Sequence, residues 1–186
     1  MHDPDVHFKR ITAATVLDVC KLSQTLSDEQ RKMVADNAVS LAQAAYSDGA
    51  WVRAIYADSD LVGFIMLHLG SDYDDGIDCP GVFLWRLMIA GPFQGKGYGA
   101  RAIHRMLAHL RSMGVRELYT CCETGPAGPE GFYRRLGFEP TGDCYGDQPE
   151  YVLRLDERAP KTTSRSRRLT SVPRGTNLGW RINWNC

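Results

Sequence analysis

At 186 residues and 44% hydrophobic composition, with 22 Lys and Arg against 22 Asp and Glu, the chain has the length and apolar content of one folded domain with its own core. No stretch approaches the roughly 18 uninterrupted apolar residues of a membrane helix, and the polar start, Met1 to Arg10, lacks a signal-peptide apolar region, so the expected compartment is the cytoplasm. Six cysteines at positions 20, 79, 121, 122, 144 and 186 make no C-x-x-C pair and no zinc-type spacing with histidine; reduced thiols and no metal site are expected.

In chain order, Val6 to Ile11 reads as a short strand and Thr15 to Leu22 as a helix. Ser27 followed by Gln30 is a capping box for a second helix reaching about Tyr46. Trp51 to Ala57 and Leu61 to Leu69 read as two strands of a hairpin, joined by the turn-forming residues Asp58-Ser59-Asp60. The acidic run Ser71 to Asp78 follows as a loop whose field would steer a multiply charged amine, or which is simply solvated. Phe83 to Ile89 is the next strand, and Tyr98 to Met113 a helix buried along Ile103, Leu107 and Leu110. Leu118 to Cys122 is a strand, Pro129 to Leu136 a short helix, and Tyr151 to Leu155 the last strand. Cys121 and Cys122 point to opposite faces of their strand, one toward the core. The order predicts a mixed α/β sheet flanked by helices.

The zero net charge hides an asymmetry. All 22 acidic residues and 15 basic ones lie in 1–157, a net charge of −7, and the other seven basic residues lie in 158–186. That tail is rich in Ser, Thr, Arg and Asn, contains Pro160 and Pro173, and shows apolar alternation only at Trp180, Ile182 and Trp184. It reads as a basic, low-complexity extension after a domain of 1–157. A nucleic-acid arm centred on Arg165, Arg167 and Arg168 is the sharper and less favoured reading, and packing of the tryptophan segment on a sheet edge or a partner subunit of a homodimer is a third.

Between the Phe83 strand and the Tyr98 helix lies Gln94-Gly95-Lys96-Gly97-Tyr98-Gly99-Ala100. Glycines at alternate positions let the backbone turn sharply and aim several N–H groups at one point, and the helix start adds partial positive charge, so the loop is a candidate diphosphate cradle. A dinucleotide fingerprint needs G-x-G-x-x-G with an acidic residue about 20 positions later, and a P-loop needs Ser or Thr after its lysine. Neither spacing is present. The Q-x-x-G-x-G loop in a strand–loop–helix frame, followed one strand later by Phe132-Tyr133-Arg134-Arg135-Leu136-Gly137-Phe138, resembles the GNAT superfamily of acetyl-CoA-dependent N-acetyltransferases. The runs Pro92 to Gly99 and Thr141-Gly142-Asp143 are similar to its small diamine and polyamine acetyltransferase branch.

The resemblance implies a GNAT fold: a mixed, mostly antiparallel sheet flanked by helices and splayed at the acetyl-CoA site. Gln94, Gly95, Lys96, Gly97, Tyr98, Gly99 and Ala100 would hold the coenzyme, with strand residues Leu87, Met88 and Ile89 beside its pantetheine arm. Acetyl transfer to an amine needs a neutral nucleophile, a stabilised oxyanion and a proton for the departing thiolate, but no enzyme nucleophile. Tyr133 stands at the family's tyrosine position as the acid, or is a core aromatic. Glu123 at the strand end is a candidate base or a solvated carboxylate, and Glu150 a second base or an anchor for a cationic acceptor. Where the family often has Asn this chain has Pro126. The resulting reading is an acetyltransferase acting on a primary amine of a small molecule, with no membrane partner and nucleic acid only as the less favoured reading of the basic tail. The alternatives are an aminoglycoside-type or peptide or protein acetyltransferase, and a module that binds acyl-CoA without turnover.

Overall fold

The computed structural model describes residues 3–69, 82–125 and 128–155. The acidic run 71–78, Pro126 and the basic tail 158–186 lie outside them.

Strand β1 (Val6–Lys9) leads into helix α1 (Val16–Lys21), a 3₁₀ turn over Leu22–Thr25, helix α2 (Asp28–Met33) and helix α3 (Asn37–Ala45). Strands β2 (Ala50–Ala57), β3 (Asp60–Leu69) and β4 (Val82–Ile89) come next, then α4 (Tyr98–Ser112), β5 (Glu117–Cys121), α5 (Glu130–Arg135), β6 (Glu139–Tyr145) and β7 (Gln148–Arg154). The sheet has seven strands in the order β1-β2-β3-β4-β5-β7-β6, and every pairing is antiparallel except β4 with β5. No helix among the described residues is long and apolar enough to cross a membrane.

The Ser27–Gln30 capping box forms: the Ser27 hydroxyl accepts from the Gln30 N–H at 3.3 Å, and the Gln30 carboxamide accepts from the Ser27 N–H at 3.1 Å. The helix it starts is shorter than the periodicity suggests. Val34 is extended, and a second helix begins under an Asp36 cap whose carboxylate accepts from the Ala38 N–H at 2.7 Å. The break delivers fully buried Asn37 to α1 and the 3₁₀ turn, where its backbone N–H reaches Ser23 Oγ at 2.9 Å and its side-chain amide Val19 O at 2.8 Å. The chain end also holds one strand more than the sequence signals. β6 is an edge strand, almost wholly exposed, irregular between Pro140 and Cys144, and closed onto β7 by the Gly146-Asp147 turn. Pro, Gly and the lack of a buried face leave no period-two signal there.

β3 is buried from Val62 to His68 because helices cover both sheet faces, which is why its sequence is a nearly unbroken apolar run. On one face, Ala102, Ile103, Met106, Leu107 and Leu110 of α4 pack with Ile55, Ile65 and Leu84. On the other, Val19 meets Phe64 and Met66, while Leu22 and Leu26 meet Met88. Each such side chain removed from water contributes roughly 1.5–3 kcal/mol, and together they fix β4 between two helical layers.

Candidate active site

The parallel ladder between β4 and β5 holds only at Val82↔Leu118 and Phe83↔Tyr119. Beyond these pairs β4 continues along β3 while β5 continues along β7, so the sheet opens into a V. Two local devices shape the opening. In β4 the register slips so that Met66 faces Arg86 and Leu67 faces Leu84, leaving Trp85 as an extra residue that bends the strand. Where the ladder stops, the buried Thr120 hydroxyl donates to Leu84 O at 3.1 Å, a side-chain bond in place of the next backbone bond.

A cavity of about 1160 Å³ occupies the V and extends over the glycine loop and α2. Leu87, Met88 and Ile89 line it from β4. At its glycine-loop end are Gln94, Gly95, Gly97, Tyr98, Gly99 and Ala100; Lys96 lies in the same loop but does not line the cavity, and its ammonium sits 5.4 Å from the Phe93 ring centroid. Gly95 and Gly97 have φ of 73° and 79°, left-handed backbone that a side chain would strain. A Cβ on either would meet no protein atom, so the cradle is open to a ligand. The first intrahelical bond of α4 runs from the Arg101 N–H to Gly97 O at 3.1 Å, leaving the Tyr98, Gly99 and Ala100 N–H groups of the first turn for an anion. Open backbone and helix start fit a diphosphate. The Gln94 side chain is already engaged, donating to Ile89 O at 2.8 Å and accepting from Gln30 Nε2 at 2.8 Å.

Tyr133 projects from α5 into the apex of the V and is nearly buried, with Phe132 and Phe138 edge-on at 5.2 and 5.3 Å. The ring is packed among aromatics and the residue is also part of the cavity lining. Burial pushes the phenol above the ordinary 10, the neighbouring Cys122 adds to the rise, and a hydrogen bond with Thr120 opposes it. The phenol thus keeps its proton and is a donor. Helix α5 is fastened by Glu130, which accepts from Arg134 at 2.7 Å and bonds the Tyr151 hydroxyl; these contacts hold its carboxyl below the usual range.

Glu123 lines the cavity beyond β5 and accepts from Gln148 Nε2 at 3.0 Å. Glu150 pairs in register with Cys121 on β7 and is not part of the lining. Cys122 is buried in the core and Cys121 half-buried; burial raises them to about 11 and about 12, so both remain thiols. Among the described residues no cluster of three His, Cys, Asp or Glu side chains could hold a metal. His104 is exposed on α4 and outside the lining. Residues that sequence reasoning missed are Thr120, Gln30 and the α2 residues Arg31 and Lys32 along the cavity. A threonine in a strand and polar residues on a helix are too ordinary to announce a site.

The model of the Acetyltransferase (GNAT) family matches residues 19–138. The chain is 26% identical over 134 residues to a spermine/spermidine N(1)-acetyltransferase of Bacillus subtilis, covering 64% of this chain and 88% of that protein. It is 33% identical over 98 residues to an aminoglycoside N(6')-acetyltransferase type 1 of Stenotrophomonas maltophilia, covering 52% and 64%. Among solved structures, an acetyltransferase of Thermus thermophilus superposes with a TM-score of 0.66 at 20% identity, over 83% of this chain and 99% of that one. The PaiA N-acetyltransferase of Thermoplasma acidophilum, in complex with coenzyme A, superposes with a TM-score of 0.58 at 15% identity, over 81% and 99%. With the family model spanning well over half of the sequence and the splayed sheet beneath the glycine loop, this chain belongs to the GNAT acetyltransferase family.

Proposed function

We propose that this acetyl-CoA-dependent acetyltransferase delivers the acetyl group to a primary amine of a small molecule, with polyamines as the leading class. The single observation that carries the reading is the V between β4 and β5, with a left-handed glycine cradle at one end and the protonated Tyr133 at its apex. The coenzyme's diphosphate would lie on the N–H groups of Gly95 to Ala100 and its pantetheine arm beside Leu87, Met88 and Ile89. The neutral amine attacks the thioester carbonyl carbon, a tetrahedral oxyanion forms, and the C–S bond breaks as Tyr133 gives its proton to the thiolate. Glu123 takes the proton shed by the acceptor nitrogen, directly or through water, and returns it through solvent to the phenolate. Glu150, outside the cavity lining, acts at longer range as an electrostatic anchor for a second cationic group. The Bacillus subtilis relative supports polyamines, and the aminoglycoside relative supports a bulkier polycationic acceptor.

The domain proper is 1–157, and 158–186 is a basic extension to it. A cytoplasmic setting is part of the same proposal. Calorimetric titration with acetyl-CoA, followed by free-thiol release across polyamines, aminoglycosides and amino acids, tests the function. Binding with release for polyamines is expected. Release for another class would replace the acceptor, binding without release would leave a coenzyme-binding module, and no binding would overturn the reading.

A further inference from the structure

Gln30 and Gln94 lie 64 positions apart, on α2 and in the glycine loop, and their carboxamides face each other. Gln30 Nε2 donates to Gln94 Oε1 at 2.8 Å, and Gln94 Nε2 lies 3.5 Å from Gln30 Oε1 while donating to Ile89 O at 2.8 Å. Gln30 Oε1 also accepts from the Ser27 N–H at 3.1 Å, so one side chain both caps α2 and ties it to the loop. A second tie runs parallel to it: the Gly91 N–H donates to Thr25 Oγ1 at 2.9 Å, and a Cβ on Gly91 would stand 2.2 Å from Thr25 O. The segment from the 3₁₀ turn through α2 is thereby pinned at two points to the β4–α4 connection. That segment is a wall of the cavity, through Arg31, Lys32 and Met33.

We propose that Gln30 is a positioning residue that couples the α2 wall of the cavity to the loop assigned to the coenzyme's diphosphate. The inference rests on the assignment of the glycine loop to coenzyme A. Gln94 is exposed, and a hydrogen bond open to water has little net strength because water competes for both partners. Coenzyme laid over the loop excludes water and strengthens the bond. Binding at the loop therefore tightens α2, the wall that carries Arg31, Lys32 and Met33.

The chemistry of the capping box separates this coupling from simple helix stability. Gln30→Glu keeps an acceptor for the Ser27 N–H, the arrangement a capping box favours. It loses the donor to Gln94 and sets a carboxylate against Gln94 Oε1. Gln30→Ala loses both cap and tie. Amide hydrogen exchange of the full chain, with and without saturating coenzyme A, reads 27–36 and 94–100 separately. In the unaltered protein, coenzyme A should slow exchange at 94–100 strongly and at 27–36 by about fivefold, as one net hydrogen bond allows. In Gln30→Glu the loop should be protected as before, and 27–36 should show the same exchange with and without coenzyme A. Coenzyme-dependent protection of 27–36 that survives in Gln30→Glu, or its absence from the unaltered protein while 94–100 is protected, overturns the coupling alone. No protection at 94–100 overturns the coenzyme assignment and the coupling with it.

Discussion

Tyr133 combines a packed ring with a phenol that keeps its proton, which is what the proposed acid requires. Its ring is clamped between Phe132 and Phe138, and burial holds the proton on its phenol. Tyr133→Phe keeps the ring and removes only the donor. It should lower turnover by roughly 10²-fold with acetyl-CoA affinity unchanged in calorimetric titration; equal losses in both would mark a packing role instead. Because the phenol's pKa lies above 10, deprotonation of Tyr133 should contribute no fall in kcat as pH rises toward 10. The residue was legible in the sequence because its F-Y-R-R-L-G-F setting is distinctive. Thr120, beside it, was not: its importance comes from Leu84 O lying 3.1 Å away across the splay, a neighbour 36 positions distant.

At the scale of elements, the splay depends on how closely β4 can lie against β3. Gly63 of β3 stands opposite Ile89, and a Cβ there would fall 2.4 Å from Met88 O and 2.9 Å from the Ile89 side chain. No side-chain rotation relieves a clash with a backbone oxygen. Gly63→Ala should therefore part the strands, costing about 1–3 kcal/mol as overpacked cores do. It should also weaken acetyl-CoA binding, because the displaced half of β4 carries Leu87, Met88 and Ile89. Thermal unfolding and calorimetric titration together check this, and an unchanged melting temperature with unchanged affinity would refute it. The elements with strong apolar signals were readable, β2, β3 and β4 as strand-length apolar runs and α4 by its helical periodicity. The α2–α3 break and β6 were not, since one is dictated by the bonds of Asn37 to α1 and the 3₁₀ turn and the other is an exposed edge built on Pro140 and Gly142.

For the whole molecule, the buried acids make stability depend on alkaline pH. Cys122 rises from an ordinary 9.0 to about 11 and Cys121 to about 12, with Tyr133 displaced the same way, all chiefly by burial. The folded state thus holds protons that the unfolded chain releases. Their stabilising effect is full below about pH 9 and is lost as pH climbs toward 11. Melting temperature should be level from pH 7 to 8.5 and fall steeply above 9, and Cys122→Ala should soften the fall; a flat profile to pH 11 would contradict it. The charge division gives a second expectation. A chain ended after residue 157 should bind acetyl-CoA with the affinity of the full chain, and a tenfold loss would assign the basic extension to the site.

The sequence by itself determined the glycine loop between β4 and α4, the α4 face, the α/β class and the family, because glycine spacing and apolar patterning are local properties written in consecutive residues. Only the tertiary structure decided where the sheet opens, that Tyr133 reaches the opening, that Glu123 borders it while Glu150 stands aside, and that Gln94 is tied to Gln30. Those facts depend on which residues meet across dozens of positions. Their partners are ordinary polar side chains whose meaning comes from distance and burial alone.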